Sequence, residues 1–373
     1  MITDTAEVPA ESPSRARRMY RNQLEIDFSV WWRRGAAVSL VMVTIFGAAL
    51  IFRGLNLGIE FEGGAVWEVP ADDVSAGDVR DGLAGLGLAD ASIQTGGGIV
   101  QVRAEVEVTD TEAAAAVAVA LADVVGADPE DVSFSDVSAS WGEEVTEKAV
   151  RALIVFLIVI AAYISMRLEW RMAVGGLVAL AHDILVTVGV YALFQFEVTS
   201  ATVIAFMTIL GYSLYDTMVV FDRVRENESR PSLAGRVAYQ DIMSLSLNQV
   251  FMRSLNTTVT SVLPVLMVLL VGSFGFGAVT LREFGIALLV GLLAGTYSSM
   301  FVAGPIVVML KNREPEYAAL IESAGTSGQA ELATLAAGGA TPRRQRGGTG
   351  PSAPKRPPST VIPPRPRKQK RRN

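Results

Sequence analysis

Ser200–Phe221 reads SATVIAFMTILGYSLYDTMVVF, 22 residues that are apolar except for a few hydroxyls and one aspartate, Asp216. A helix needs about 20 apolar residues to cross a hydrocarbon core of roughly 30 Å, so the run has the length of a membrane span. An ionisable group inside a span costs several kcal/mol and normally faces a partner or a water path. The next apolar run, about Leu255–Phe276, has Arg253 at its mouth. If the first run continues as helix to about Arg225, Asp216 lies about nine residues, roughly 13 Å at 1.5 Å per residue, from its end. Arg253 enters from that same side, and arginine side chains extend and snorkel, so the two are expected to meet. Such a pair either titrates during transport or is a static ion pair that fixes helix packing.

The neighbouring residues extend the polar seam. Arg253, Thr257, Thr260, Ser261 and Pro264 fall on one helical face, as do Thr208, Tyr212 and Asp216. Faces of this kind meet helices or water rather than lipid. His182 and Asp183 lie at a similar depth in the run Met172–Phe196, where they read either as part of a proton relay or as a satisfied contact between helices. This is the only histidine and the chain has no cysteine, which disfavours metal sites and excludes disulfides, thiol nucleophiles and iron–sulfur clusters. In the last apolar run Gly291, Gly295 and Ser299 have the small-xxx-small spacing of close helix packing, and Gly304-Pro305 interrupts it.

Working outward, half of the 373 residues are hydrophobic, and six runs approach span length: Gly35–Phe52, Ala149–Met166, Met172–Phe196, Ala201–Phe221, about Leu255–Phe276 and Ile286–Leu310. Between the first two, Leu55–Glu147 holds 20 acidic residues against Arg80 and Arg103. Its patterning predicts strand Gly63–Pro70, helix Ser75–Leu88, strands Ala91–Thr95 and Ile99–Val106, helix Asp110–Val125 and strand Val132–Ser138. That order, βαββαβ, is the order of a ferredoxin-like α+β sandwich. Gly63-Gly64 reads as a turn into a strand, since no phosphate-loop sequence follows, and no ATP-binding motif occurs anywhere in the chain.

The arginines set the orientation. Arg33 and Arg34 precede the first run, Arg167 and Arg171 follow the second, and Arg223, Arg225, Arg230 and Arg236 separate the fourth from the fifth. The positive-inside rule then puts both termini in the cytoplasm and the acidic domain outside. A cleavable signal peptide is not expected. Lys311–Asn373 holds 13 basic and 4 acidic residues, and beyond about Ala324 its composition predicts disorder. That tail reads as adhering to anionic lipid headgroups or ribosomal RNA, or as a solvated segment that sets topology; no sequence-specific nucleic-acid binding is expected.

Five segments carry a resemblance: Gly58–Glu68 (GIEFEGGAVWE), Ala181–Asp183 (AHD), Gly211–Asn227 (GYSLYDTMVVFDRVREN), Arg253–Thr257 (RSLNT) and Gly295–Ser299 (GTYSS). Together they closely resemble the SecF family, membrane subunits of the bacterial protein-export translocase within the resistance-nodulation-division superfamily. The likeness spans about residues 31–312. It implies a SecD-like partner, a place beside the SecYEG channel, indirect dealings with SecA and exported preproteins, and ion-driven help in late export. Within it Asp216 matches the transport carboxylate and Arg253 its arginine partner, with Tyr215, Thr257, His182 and Asp183 around them. Gly63, Gly64 and Glu68 match the motif of the outer domain. Tyr215 stands where the family usually has Asn, Glu60 where it usually has Asp, and the basic tail is longer.

The expected architecture is a polytopic α-helical protein with six transmembrane helices and an extracytoplasmic ferredoxin-like domain between the first and second. By residue number it is a cytoplasmic segment 1–34, a first helix 35–54, the outer domain 55–147, helices two to six over 148–312 with a cytoplasmic loop 223–249, and a basic tail 313–373. The expected function is a non-enzymatic subunit in the bacterial cytoplasmic membrane, without cofactor or metal, that uses the proton-motive force to promote export. Two alternatives stand beside it: a half-transporter of the same superfamily that exports lipid or a small molecule, and a channel scaffold without ion coupling.

Overall fold

The computed structural model describes residue 26 and residues 28–318 apart from 72–73, 89–90, 97, 105–110, 276–278 and 316. The basic tail and most of the N-terminal segment lie outside the described residues. Helix α1 (Phe28–Arg53) leads through strand β1 (Asn56–Leu57) and a single turn, α2 (Ile59–Glu62), into a small domain. That domain runs β2 (Gly64–Pro70), α3 (Ala76–Leu83), β3 (Ser92–Gly96), β4 (Ile99–Ala104), α4 (Thr111–Val125) and β5 (Ser133–Val137). The bundle follows as α5 (Ala139–Arg167), α6 (Trp170–Phe194), β6 (Glu197–Val198), α7 (Ser200–Glu228), α8 (Tyr239–Met267), α9 (Val279–Ser298) and α10 (Gly304–Lys311).

The four strands of the small domain lie in the order β3-β4-β2-β5 with every neighbour antiparallel. With two helices interleaved, this is the ferredoxin-like sandwich. Ala65, Trp67 and Val69, two residues apart along β2, join Val100 and Val102 of β4 in the core. Val79 and Leu83 of α3 and Leu121 of α4 cover that face. Trp67 is fully buried, and its indole N–H donates to the Ala114 carbonyl at 3.1 Å, so its one polar atom is satisfied. Gly63 has φ +79°, a left-handed conformation that favours glycine, and it ends α2 where β2 begins. The Gly63-Gly64 turn into a strand is therefore as expected.

Six helices are long and apolar enough to span a membrane: α1, α5, α6, α7, α8 with its extension, and α9 continuing into α10. Half of the apolar stretch of α6 and of α9–α10 is buried, against 6% in α5 and 11% in α1, so α6, α7 and α9 form the centre and α1 and α5 the periphery. Missing side chains bring the central helices together. A Cβ on Gly295 of α9 would lie 2.7 Å from the Ser213 Cβ of α7, and one on Gly189 of α6 would lie 2.9 Å from the Phe46 Cα of α1. The small-xxx-small reading of α9 is thus a packing reading.

Prolines mark the irregularities. Pro305 lacks the N–H that an unbroken helix needs, and just upstream of it Ser299–Ala303 forms a π-turn joining α9 to α10. Pro264 likewise precedes the π-helical extension Val268–Gly275 of α8.

Helix ends differ from those read in the sequence. The segment 223–249, expected as a loop, is mostly helix: α7 runs to Glu228 and α8 starts at Tyr239. Asn227 donates to Ser246 at 2.9 Å and to Gln249 at 2.8 Å, and Arg223 donates to Gln249 at 2.6 Å. These bonds hold the two helix ends together beyond the apolar runs. The first helix begins at Phe28 rather than near residue 35.

Candidate functional site

Asp216 is buried on α7 and accepts hydrogen bonds from two hydroxyls on different helices, Ser254 of α8 and Ser299 of the π-turn, the latter at 2.7 Å. The expected ion pair with Arg253 is not formed. Arg253 is exposed, and its guanidinium donates to the Tyr215 hydroxyl at 3.1 Å on the outer face of α7 and α8. One residue is about 100° of helix, so when Ser254 faces Asp216 its neighbour Arg253 points away. The Thr257 hydroxyl turns back onto the Arg253 carbonyl of its own helix at 2.8 Å. Its own carbonyl accepts from Tyr212, whose hydroxyl also lies 2.8 Å from Ser261.

The buried seam of α8 is therefore Ser254 and Thr258, four residues apart, not Arg253 and Thr257. Thr258 meets Thr296 of α9 at 2.8 Å. Sequence reasoning missed Ser254, Ser298, Ser299 and Ser213. The signal was present in the two adjacent polar stripes of α8, but their helical phase is set by how α9 packs.

Asp183, wholly buried on α6, forms a second carboxylate site. Its Oδ2 accepts from Ser213 of α7 at 2.5 Å and from Ser298 of α9 at 2.8 Å. Ser298 and Ser299 are consecutive, so one turn of α9 bonds both aspartates, and Gly295 permits the approach that places them. His182 Nδ1 lies 3.3 Å from Asp183 Oδ1, and Nε2 is buried with no hydrogen-bond partner among the described residues. Its ring packs beside Tyr297 with centroids 6.0 Å apart.

Where the small domain meets the bundle, β1 pairs in parallel with β6. Glu60 accepts from the backbone N–H of Ser200 at 2.6 Å, at the start of the helix that carries Asp216. Thr199 and Thr202 close a capping box at that start. Arg103 of β4 pairs with Glu197 at 3.3 Å and donates to the Leu57 carbonyl at 2.6 Å and to Asn56. Burial pushes the Glu197 carboxyl above the ordinary range against the pull of Arg103, and Glu60 and Glu68 add to the rise. Glu68 itself accepts from Gln101 at 2.9 Å within the sheet.

At the far end of the bundle the buried Lys311 ammonium lies 2.9 Å from both Glu169 and Glu228. Among the described residues no cluster of His, Cys, Asp or Glu has a metal-holding arrangement.

Residues 116–313 match the family described as "Protein export membrane protein SecD/SecF, C-terminal", and residues 48–73 match the "SecD/SecF GG Motif". The chain is 37% identical over 309 residues to "Protein translocase subunit SecF" of Streptomyces coelicolor, covering 81% of each chain. It is 38% identical to the Mycobacterium tuberculosis protein of the same name, over 74% of this chain and 65% of that one. Among solved structures it resembles SecDF, a translocon-associated membrane protein from Thermus, with TM-score 0.70 and 30% identity. That likeness covers 78% of this chain and 39% of the SecDF chain, so this chain spans about two-fifths of that protein. A super-membrane-facing form of SecDF matches with TM-score 0.58, also over about two-fifths of its length. With six membrane-spanning helices and relatives of this identity and coverage, the protein is a multi-pass protein of the bacterial inner membrane, and it belongs to the SecD/SecF family of protein-export membrane proteins, among the SecF subunits of the protein translocase.

Proposed function

We propose that this chain is the SecF half of an accessory complex that uses the proton-motive force to promote late steps of protein export, without enzymatic chemistry of its own. The observation that carries this reading is Asp216: a carboxylate buried inside a span whose hydrogen-bond partners are neutral hydroxyls. A serine hydroxyl donates to a carboxylate and, turned about, accepts from a carboxylic acid, so both charge states of Asp216 can be bonded in place. Among the described residues no counter-charge pairs with it. Protonation reorganises the contacts that join α7 to α8 and to the π-turn of α9, and this biases the bundle between two packings. One elementary charge moved across 100 mV supplies about 2.3 kcal/mol, enough to shift such an equilibrium. Asp183 and His182, tied to the same turn through Ser298, are the next members of the path.

The motion reaches the small domain through the junction before α7 as well as through α1 and α5. Glu60 is bonded to the first residue of α7, and Arg103 to Glu197 in the link that precedes it. Positive-inside logic puts the small domain outside and both termini and the α7–α8 turn in the cytoplasm.

The exposed face of α7 and α8 carries Thr208, Gly211, Tyr215, Arg253, Asn256 and Thr260. Lipid cannot satisfy an arginine there, and this face takes a SecD-like six-span partner whose own intramembrane carboxylate receives Arg253. The pair then works beside SecYEG on preproteins delivered by SecA, within the membrane lipids.

Asp216→Asn keeps size and hydrogen-bonding capacity but cannot titrate. It should abolish the proton-motive-force-dependent part of preprotein export in vesicles while ATP-driven translocation continues. Export that stays as sensitive to the proton gradient as in the wild type would overturn the reading. Arg253→Lys keeps the charge without the planar fork and should retain part of the activity, and Arg253→Ala little.

A further inference from the structure

Glu283 sits one turn into α9, at the small-domain end of the bundle. It is 3% exposed, and its Oε2 is buried without a hydrogen-bond partner among the described residues. An ionised carboxylate so placed forfeits hydration, and its Oε2 receives no hydrogen bond in return among the described residues. The Tyr191 hydroxyl of α6 donates to the Glu283 main-chain carbonyl at 2.6 Å rather than to its carboxyl.

The charged groups within electrostatic reach are Glu197 of β6, Glu60 of α2, Arg103 of β4 and the adjacent Arg282 of its own helix. Arg103 is committed elsewhere: it pairs with Glu197 at 3.3 Å and donates to Leu57 and Asn56. Glu68 of β2 adds a further negative charge facing Glu197. Arg282 makes no hydrogen bond to the buried Oε2, so Glu197 and Glu283 are two buried carboxyls set against one guanidinium already committed to Glu197 and a second on Glu283's own helix, a place where two like charges are costly to carry together.

We propose that Glu283 and Glu197 form a second proton-binding site, separate from Asp216, which holds one proton between them while the small domain is seated on the bundle. Arg103 keeps Glu197 ionised and the proton resides on Glu283. The proton is exchanged with water on the small-domain side, and its loss leaves a second charge competing for Arg103, the residue that ties β4 to the link before α7. The site thus couples proton occupancy at the bundle's end to the seating of the small domain, and its titration belongs to the pair rather than to either residue.

Infrared difference spectroscopy of the purified complex with its SecD-like partner, taken through a pH titration, reads protonated carboxyl groups directly. The wild type should show a protonated-carboxyl band that is lost in Glu283→Gln and kept in Asp216→Asn. Glu197→Gln removes the competing charge and frees Arg103 for Glu283, so the same band should titrate away at lower pH than in the wild type. This second variant decides the matter where Glu283→Gln does not fold. A band unchanged in both variants, or one lost in Asp216→Asn and kept in Glu283→Gln, would overturn the proposal, and the latter result would leave the Asp216 mechanism standing.

Discussion

Two buried charges in this bundle are housed in opposite ways. Lys311, 4% exposed at the end of α10, is ringed by carboxylates: Glu169 and Glu228 at 2.9 Å and Glu314 at 3.9 Å, with Arg171 closing the ring onto Glu169 and Glu314. Asp216, 8% exposed in α7, is held by the hydroxyls of Ser254 and Ser299 and, among the described residues, pairs with no cation. A charge surrounded by opposite charges is held in one state, because neutralising it strands its partners. A charge surrounded by hydroxyls is solvated either way and is free to change. The first arrangement anchors helix ends and the second suits a group that binds and releases a proton.

The sharpest way to break this contrast is at the anchor. Lys311→Met leaves Glu228 without its cation and Glu169 with Arg171 only, and with both carboxylates partly exposed it should cost up to about 3 kcal/mol, read as a fall in the thermal unfolding midpoint of the solubilised complex. A variant as stable as the wild type would show that the ring is not an anchor. Next in size is Ser299→Ala, which removes one of two hydroxyl donors to Asp216. A hydrogen bond to a charged group contributes about 1.5–3 kcal/mol, so proton-driven transport should fall at least several-fold in this variant. Transport equal to that of the wild type would detach Ser299 from the Asp216 site.

Gly295→Ala probes how the hydroxyls come to be there. Its Cβ would sit 2.7 Å from the Ser213 Cβ, and overpacking of this kind costs about 1–3 kcal/mol. It should also push Ser298 and Ser299 off both aspartates and lower transport more than stability. Equal losses in the two would make the glycine a packing device only.

The smallest effect concerns acid. Burial works to raise the Glu169 carboxyl, but Lys311 and Arg171 more than offset it and hold the group below its ordinary 4.5. A depressed carboxyl contributes stability that is present above the unfolded value and is lost as pH falls through the folded one. The anchor should therefore loosen only in acid below about pH 4.5, and Glu169→Gln should flatten that part of the stability profile. A profile unchanged by the substitution would remove Glu169 from the ring.

Much of this was legible in the sequence. The βαββαβ order showed in alternating apolar residues such as Ala65, Trp67 and Val69, and the spans showed in the length of their apolar runs. Asp216, Asp183 and His182 stood out because a bilayer makes such residues expensive. What could not be read depends on contacts between distant segments. The phase of α8, which separates Ser254 from Arg253, follows from its docking against Asp216 of α7 and Thr296 of α9, since residues 253, 257 and 260 and residues 254 and 258 make polar stripes of similar strength. The β1–β6 pair is two residues long on each side, too short for any periodicity. Arg103 and Glu197 meet only through the seating of the small domain. α7 runs on past Arg225 to Glu228, and α8 starts at Tyr239, well before its apolar run, because arginines mark the membrane boundary while a polar, hydrogen-bonded helix can run past it.

Proton flux through proteoliposomes containing this chain and its SecD-like partner, driven by an imposed pH gradient and membrane potential, reads the role of Asp216 without any export step. Flux is expected in the wild type and none above empty liposomes in Asp216→Asn, with both proteins inserted in equal amounts. Flux in Asp216→Asn equal to that of the wild type would contradict it.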